Sequence, residues 1–142
     1  SWQMIGYIYY INKDYQLSIN AYQKVLSIDS DTLIAWSNMA TCYSLLNQSR
    51  KAFDSLVCAL KLSSNNWQLW QNMLVFALEN DEITYFINSC LKLIELGHEE
   101  VLTEPIVKQI NKIAQDLLKK HFENDSLIRN THNQFQRFFK KN

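Results

Sequence analysis

Glycine and proline are almost missing from this chain: Gly6 and Gly97 are its two glycines and Pro105 its single proline in 142 residues. Sandwiches, barrels and dinucleotide-binding folds punctuate their strands with such residues, so an all-helical chain is what remains. No apolar run approaches the ~18–20 residues that span a bilayer, and no charged-then-apolar leader opens the sequence. Net charge is absent too. Fourteen Lys and Arg balance fourteen Asp and Glu, which removes the global electrostatic case for nucleic acid or a membrane surface as partner. Cysteine is sparse: Cys42, Cys58 and Cys90 are an odd number at wide spacing. That suits neither a secreted disulfide framework nor a zinc knuckle, and a reducing, cytoplasmic compartment is expected. The chain opens on Ser1 rather than methionine, which reads as an excised part of a larger protein.

What is present is a period. Trp2, Trp36 and Trp70 stand 34 residues apart, and the positions around them repeat as well. The first window holds Trp2, Ile5, Gly6, Tyr9, Ser18 and Tyr22; the second holds Trp36, Met39, Ala40, Tyr43, Ala52, Leu56 and Ala59. The third holds Trp70, Met73, Leu74, Ala77, Phe86, Cys90 and Leu93. Between windows, apolar residues recur at spacings of three and four: Leu17, Ala21, Val25 and Ile28 in one stretch, Ala52, Leu56, Ala59 and Leu60 in another. Each stripe is the face of a helix that a neighbouring helix must cover. Short polar breaks at 12–14, 29–31, 47–49, 63–66 and 80–81 offer N-cap acceptors for the helices that follow. Six helices are expected near 2–12, 14–28, 32–46, 49–62, 66–79 and 82–96, with small Gly6 and Ala40 allowing close approach and Trp36, Ala40 and Ala52 buried at helix contacts.

These large–large–small–large slots resemble the tetratricopeptide repeat, a 34-residue helix–turn–helix. The resemblance covers residues 1–100 as pairs 1–32, 33–66 and 67–100. It departs at Phe86, where the family usually has alanine, and at Ser30, Ser64 and His98, where it often has proline. A narrower likeness rests on Ala35-Trp36-Ser37-Asn38, Lys51-Ala52-Phe53, Ala59-Leu60-Lys61 and Trp67-Gln68-Leu69-Trp70-Gln71-Asn72. This pattern is similar to the tetratricopeptide repeat protein 27 family. The resemblance implies a non-enzymatic, right-handed helical-repeat solenoid of cytosol and nucleus, acting as an assembly scaffold or co-chaperone-like adaptor. Repeats of O-linked N-acetylglucosamine transferases also carry asparagine at the slots of Asn38 and Asn72, so a recognition segment of a larger enzyme is the alternative.

Past Gly97, a helix C-cap by its type, the period fails: Glu104 fills the next tryptophan slot and Pro105 follows it. A helix capped by Thr103 with Pro105 in its first turn is expected to run to about Lys120. A last helix carries Leu127, Ile128, Phe135, Phe138 and Phe139, so that 101–142 form a longer hairpin covering the end of the solenoid.

Catalytic chemistry finds little support. The three cysteines lie on apolar lines, which suits packing. His98, His121 and His132 are scattered, no Cys-x2-Cys or His-x3-His pair exists, and two glycines cannot build a phosphate cradle. No metal, no cofactor and no enzymatic activity are expected. Residues 1–104 hold six basic and eleven acidic residues, and 105–142 hold eight and three. The second set, with Lys119, Lys120, Arg129, Arg137, Lys140 and Lys141 beside Phe138 and Phe139, falls between apolar positions at helical spacing. Solvated helix faces account for it better than contact with RNA.

The first helix of each pair lines the concave side of a repeat stack. Gln3, Tyr7 and Tyr10, then Ser37, Asn38 and Thr41, then Gln68, Gln71 and Asn72 are the partner-binding candidates, an uncharged row flanked by Ile34 and Val75. Amide side chains both donate and accept, which suits the backbone of an extended peptide, or else Asn38 and Asn72 bond to neighbouring helices. The resemblance also carries a negative expectation. Co-chaperone repeats hold heat-shock-protein carboxylate tails with lysine, arginine and asparagine, and those slots read Gln3, Tyr7, Asn38, Gln68 and Asn72 here; only Asn38 matches, so such a tail is not the expected partner.

Overall fold

The computed structural model describes residues 1–119 and 126–140, apart from the side chains of 117, 118, 126–128, 139 and 140. Among the described residues there are eight α-helices, one short 3-10 turn and no strand. The helices are α1 (Trp2–Ile11), α2 (Tyr15–Ile28), α3 (Leu33–Leu45), α4 (Ser49–Leu62), α5 (Trp67–Glu79), α6 (Ile83–Glu95), α7 (Glu104–Lys119) and α8 (Ser126–Lys140). Both ends of each of the first six helices fall within one residue of the expected ones. The 3-10 turn at Glu99–Val101 was not expected. The chain divides into two compact units, Ser1–Phe86 and Ile87–Asn142.

In the first unit consecutive helices pack in order, α1 on α2, α2 on α3, α3 on α4 and α4 on α5. Two kinds of connection alternate. The turns after α1, α3 and α5 are tight, with Lys13, Asn47 and Asp81 at φ of 64°, 58° and 55°. Each turn closes with the same pair of bonds: Lys13 N–H donates to Tyr10 O and Asp14 N–H to Tyr9 O, Asn47 N–H to Ser44 O and Gln48 N–H to Tyr43 O, Asp81 N–H to Leu78 O and Glu82 N–H to Ala77 O. This is the left-handed C-terminal cap that satisfies a helix's last carbonyls. The polar breaks therefore act mainly as C-caps rather than N-caps. Asp14, Thr32 and Gln48 make no side-chain cap bond, whereas Asn66 does, accepting from Gln68 N–H.

The connections after α2 and α4 are longer and pinned by tryptophan. Trp36 Nε1–H donates to Ser30 O at 2.8 Å and Trp70 Nε1–H to Ser64 O at 2.7 Å. Both serines hold proline's usual slot, and what the indole needs from the slot is its carbonyl. Because its nitrogen works at the loop, Trp36 is half-buried rather than fully buried as expected, while Ala40 and Ala52 are buried.

The α4 stripe is buried as read, through Ala52, Leu56, Ala59 and Leu60. The α2 stripe is shifted. Leu17 and Ile28 are exposed, and the buried face is Ser18, Ile19, Ala21 and Tyr22. The reason is Gly6: a Cβ there would lie 2.9 Å from Tyr22 Cζ, so the missing side chain lets the Tyr22 ring lie flat on α1. Ser18, in the small-residue slot, donates from Oγ to Gly6 O at 2.7 Å, and Cys42 Sγ lies 3.5 Å from Ser18 Oγ. One buried hydroxyl thus ties three helices. Further along, Asn80 Nδ2 donates to Ser49 O and Phe76 O, Arg50 pairs with Glu82 at 2.8 Å, and Phe53 meets Tyr85 edge to face.

In the second unit α6 ends on Gly97 at φ 79°, with Gly97 N–H donating to Ile94 O and His98 N–H to Leu93 O. Here glycine occupies the left-handed position, as the sequence indicates. Pro105 is the second residue of α7, where its missing N–H costs nothing, and α7 packs on α8. Buried residues of this unit include Ile87, Cys90, Leu93, Leu102, Ile110, Ala114, Thr131 and Phe135. Lys120, His121 and Lys141, and the side chains of Leu127, Ile128, Phe139 and Lys140, lie outside the described residues.

Candidate functional site

The cysteines can be settled first. Cys42 and Cys90 are buried and Cys58 half-buried. Burial pushes the Cys42 thiol up, against a smaller opposing effect from Ser18, and pushes Cys90 up to about 12. Raised in this way, both thiols stay protonated at neutral pH, as packing residues do. Among the described residues no group of three or more His, Cys, Asp or Glu could hold a metal, and no described helix is long and apolar enough to cross a membrane.

The expected peptide row resolves into parts. Gln3, Tyr7 and Asn38 come together in one open cleft of about 410 Å3, with Ser1, Met4, Tyr22 and Ile34. The cleft lies between α1 and α3, with Tyr22 of α2 beneath. No lysine, arginine, aspartate or glutamate lines it. Ser37 and Thr41 are half-buried and donate to carbonyls of their own helix, Ile34 O at 3.1 Å and Ser37 O at 3.2 Å. Tyr10 turns away from the cleft toward Tyr15, ring centroids 6.0 Å apart. Gln68, Gln71 and Asn72 are exposed on α5 and do not line this cleft.

Asn38 takes the structural course of the two left open: its Nδ2 donates to Tyr22 Oη at 2.9 Å. That bond leaves the Tyr22 hydroxyl proton uncommitted to Asn38, and Asn38 retains its carbonyl oxygen as an acceptor. Burial raises the Tyr22 pKa, and the Asn38 bond opposes the rise only in part, so the phenol stays neutral at physiological pH. The sequence reading named Tyr22 as a slot of the first repeat window, left it out of the α2 stripe, and missed its hydroxyl at the cleft. The legible signal was Gly6 opposite it, since a glycine facing a tyrosine lets the ring through to the far side.

The cleft can therefore do one kind of chemistry. It offers aromatic and aliphatic walls from Tyr7, Met4 and Ile34 and neutral donors and acceptors from Gln3, Asn38 and Tyr22. Nothing in it can compensate a desolvated carboxylate pair.

Comparison with known proteins agrees with this architecture. Residues 1–32 match the model of the tetratricopeptide repeat. "Essential for maintenance of the cell wall protein 1" of Saccharomyces cerevisiae is 22% identical over 86 residues, 60% of this chain and 10% of the relative. "Tetratricopeptide repeat-containing protein trd-1" of Caenorhabditis elegans is 24% identical over 123 residues, 87% of this chain and 15% of the relative. The chain thus spans a small part of the length of these relatives. Among solved structures, the Sgt2 TPR domain of Aspergillus fumigatus superposes with a TM-score of 0.59 at 16% identity, covering 99% of this chain and 78% of that one. MamA gives 0.62 at 13% identity, with 99% and 77% covered. Residues 1–32 thus match the tetratricopeptide repeat, and the described residues share the all-helical, helical-repeat fold of these solved structures.

Proposed function

We propose that the protein is an interaction scaffold, and that the α1–α3 cleft receives one apolar side chain of an extended, uncharged segment of a partner protein. The carrying observation is the lining: Tyr7, Met4 and Ile34 form the walls, Gln3, Asn38 and Tyr22 supply neutral polar atoms, and no charged residue takes part. The tetratricopeptide fold is generally a non-catalytic interaction module, and the buried thiols agree with that role. In its finer form the reading places the chain in the tetratricopeptide repeat protein 27 family, as an adaptor for macromolecular assembly in cytosol and nucleus.

Selection of displayed decapeptides against the protein tests the reading. Enriched sequences are neutral and carry an apolar residue, and Tyr7→Ala weakens them by about ten-fold, the scale of an aromatic anchor. Tyr10→Ala has little effect. Enrichment of acidic peptides, or binding indifferent to Tyr7, overturns it.

A further inference from the structure

Arginine is rare in this chain, and its three copies are used differently. Arg50 is held by Asp54 at 3.4 Å and by Glu82 at 2.8 Å. Arg129 and Arg137 both stand exposed on α8, and among the described residues neither has an ion pair. No aspartate or glutamate lies anywhere along α8, so its own helix offers them nothing. The two acids of the neighbouring α7 are Glu104, which holds Lys108 at 3.3 Å, and Asp116, which pairs with neither arginine.

Packing decides where the two guanidinium groups point. Thr131 and Phe135 are 2% and 1% exposed and form the buried side of α8. Arg129, Asn133 and Arg137 stand two residues away from them in either direction, which puts them on the opposite side of the helix, and all three are exposed. Spaced by four, they make one row. Two planar cations stand about 12 Å apart along the axis with a neutral amide midway.

We propose that this row is a docking face for an acidic helix of a partner protein, one that carries two carboxylates eight residues apart with a polar residue between them. Arginine takes a carboxylate through two parallel N–H bonds, a geometry lysine cannot reproduce. A helix laid along α8 has the same rise per residue, so eight residues on it match eight on α8, and Asn133 can donate to or accept from the residue midway. Nucleic acid suits the row less well. Its charges recur every ~3.4 Å along a strand, far more densely than these cations, and no exposed aromatic among the described side chains of α8 offers a stacking platform. A second copy of this chain does not suit it either. α1, α2, α3 and α8 carry no acid, α4, α5 and α6 carry one each, and the two of α7 are twelve residues apart. The row belongs to the second unit and the cleft to the first. Short acidic peptides are not helical in water and do not present the required spacing.

The test is a nitrogen-15 NMR titration of the protein with two alanine-rich helical peptides of about 20 residues. One carries glutamates eight residues apart with a glutamine midway; the other has the same composition with the glutamates six apart, on different faces of the helix. The Nε signals of Arg129 and Arg137 are expected to shift together with the first peptide, which binds about five-fold more tightly than the second. Arg129→Gln combined with Arg137→Gln abolishes that preference, and Arg137→Lys, which keeps the charge, loses most of it. Glutamine is a good helix former, so an unchanged melting midpoint reports that α8 is intact. Tyr7→Ala leaves this binding as it was, which separates it from the cleft. The absence of a shift at the two arginines overturns the proposal, as does equal affinity for the two peptides or a preference that survives the double glutamine variant. An oligouridine that shifts the same two signals at lower concentration than the first peptide assigns the row to nucleic acid and overturns it too.

Discussion

At the scale of single residues, the contact between Gly6 and Tyr22 is the most sharply defined feature. An alanine methyl at position 6 would meet the ring at 2.9 Å, and Tyr22 is fully buried, which limits how far the ring can give. Gly6→Ala is expected to cost about 1–3 kcal/mol, read as a lower thermal midpoint. The second repeat suggests the repair, because it places buried Ala40 and Leu56 at the same two slots. Gly6→Ala with Tyr22→Leu should recover part of the loss, while Ala40→Leu in the second repeat should incur a similar one. A midpoint unchanged by Gly6→Ala would show that the ring does not lie where it is placed.

Cys90 supplies a pH dependence with a definite sign. Its folded pKa is raised to about 12 from 9.0 by burial. The contribution is fully present below pH 9, and is lost as pH rises through the window between 9 and 12, because the unfolded chain releases the proton first. The slope is at most about 1.4 kcal/mol per pH unit. Melting at pH 8, 9 and 10 should therefore show a steeper decline for the unaltered protein than for Cys90→Ala. Comparing slopes rather than midpoints removes the cavity cost of the substitution, and parallel slopes would contradict the burial.

At the scale of the helix, the recurring left-handed turn carries the prediction. Lys13, Asn47 and Asp81 hold the same role, and lysine is the least suited of the three, because its Cβ crowds the carbonyl without a short polar group to compensate. Lys13→Gly should raise stability by up to about 1 kcal/mol after the entropy of glycine is set against the relieved strain. Asn47→Gly should gain less. Urea midpoints test the order, and Lys13→Ala is the control that should gain nothing.

On the whole molecule, charge and groove belong together. The chain carries an acidic excess before residue 105 and a basic excess after it, yet no lysine, arginine, aspartate or glutamate lines the cleft. A peptide ending in Glu-Glu-Val-Asp finds no cation there and should bind no better than ~1 mM by calorimetry. Peptides that do bind should keep their affinity within about two-fold between 0.05 and 0.5 M salt, since no ion pair is screened. Micromolar binding of the acidic peptide would overturn the assignment of the cleft.

Much of this architecture was legible without coordinates. A 34-residue period in tryptophan, with almost no glycine or proline, determines an all-helical repeat and places the ends of six helices within a residue, because helix length and turn length are local properties. The same period fixes where Lys13, Asn47 and Asp81 fall, although their caps close helices from behind rather than opening the next. Other facts belong to tertiary structure alone. Leu17 and Ile28 complete a stripe on a helical wheel, yet the true face of α2 is turned toward Tyr22 by a glycine on another helix. Asn38 and Asn72 occupy one slot in the period and differ in use: Asn38 bonds a tyrosine hydroxyl sixteen residues away, whereas Asn72 is exposed. Periodicity repeats within a helix and from pair to pair, so it names faces. Which atom meets which across two helices depends on side-chain volumes from distant parts of the chain, and only their packing decides it.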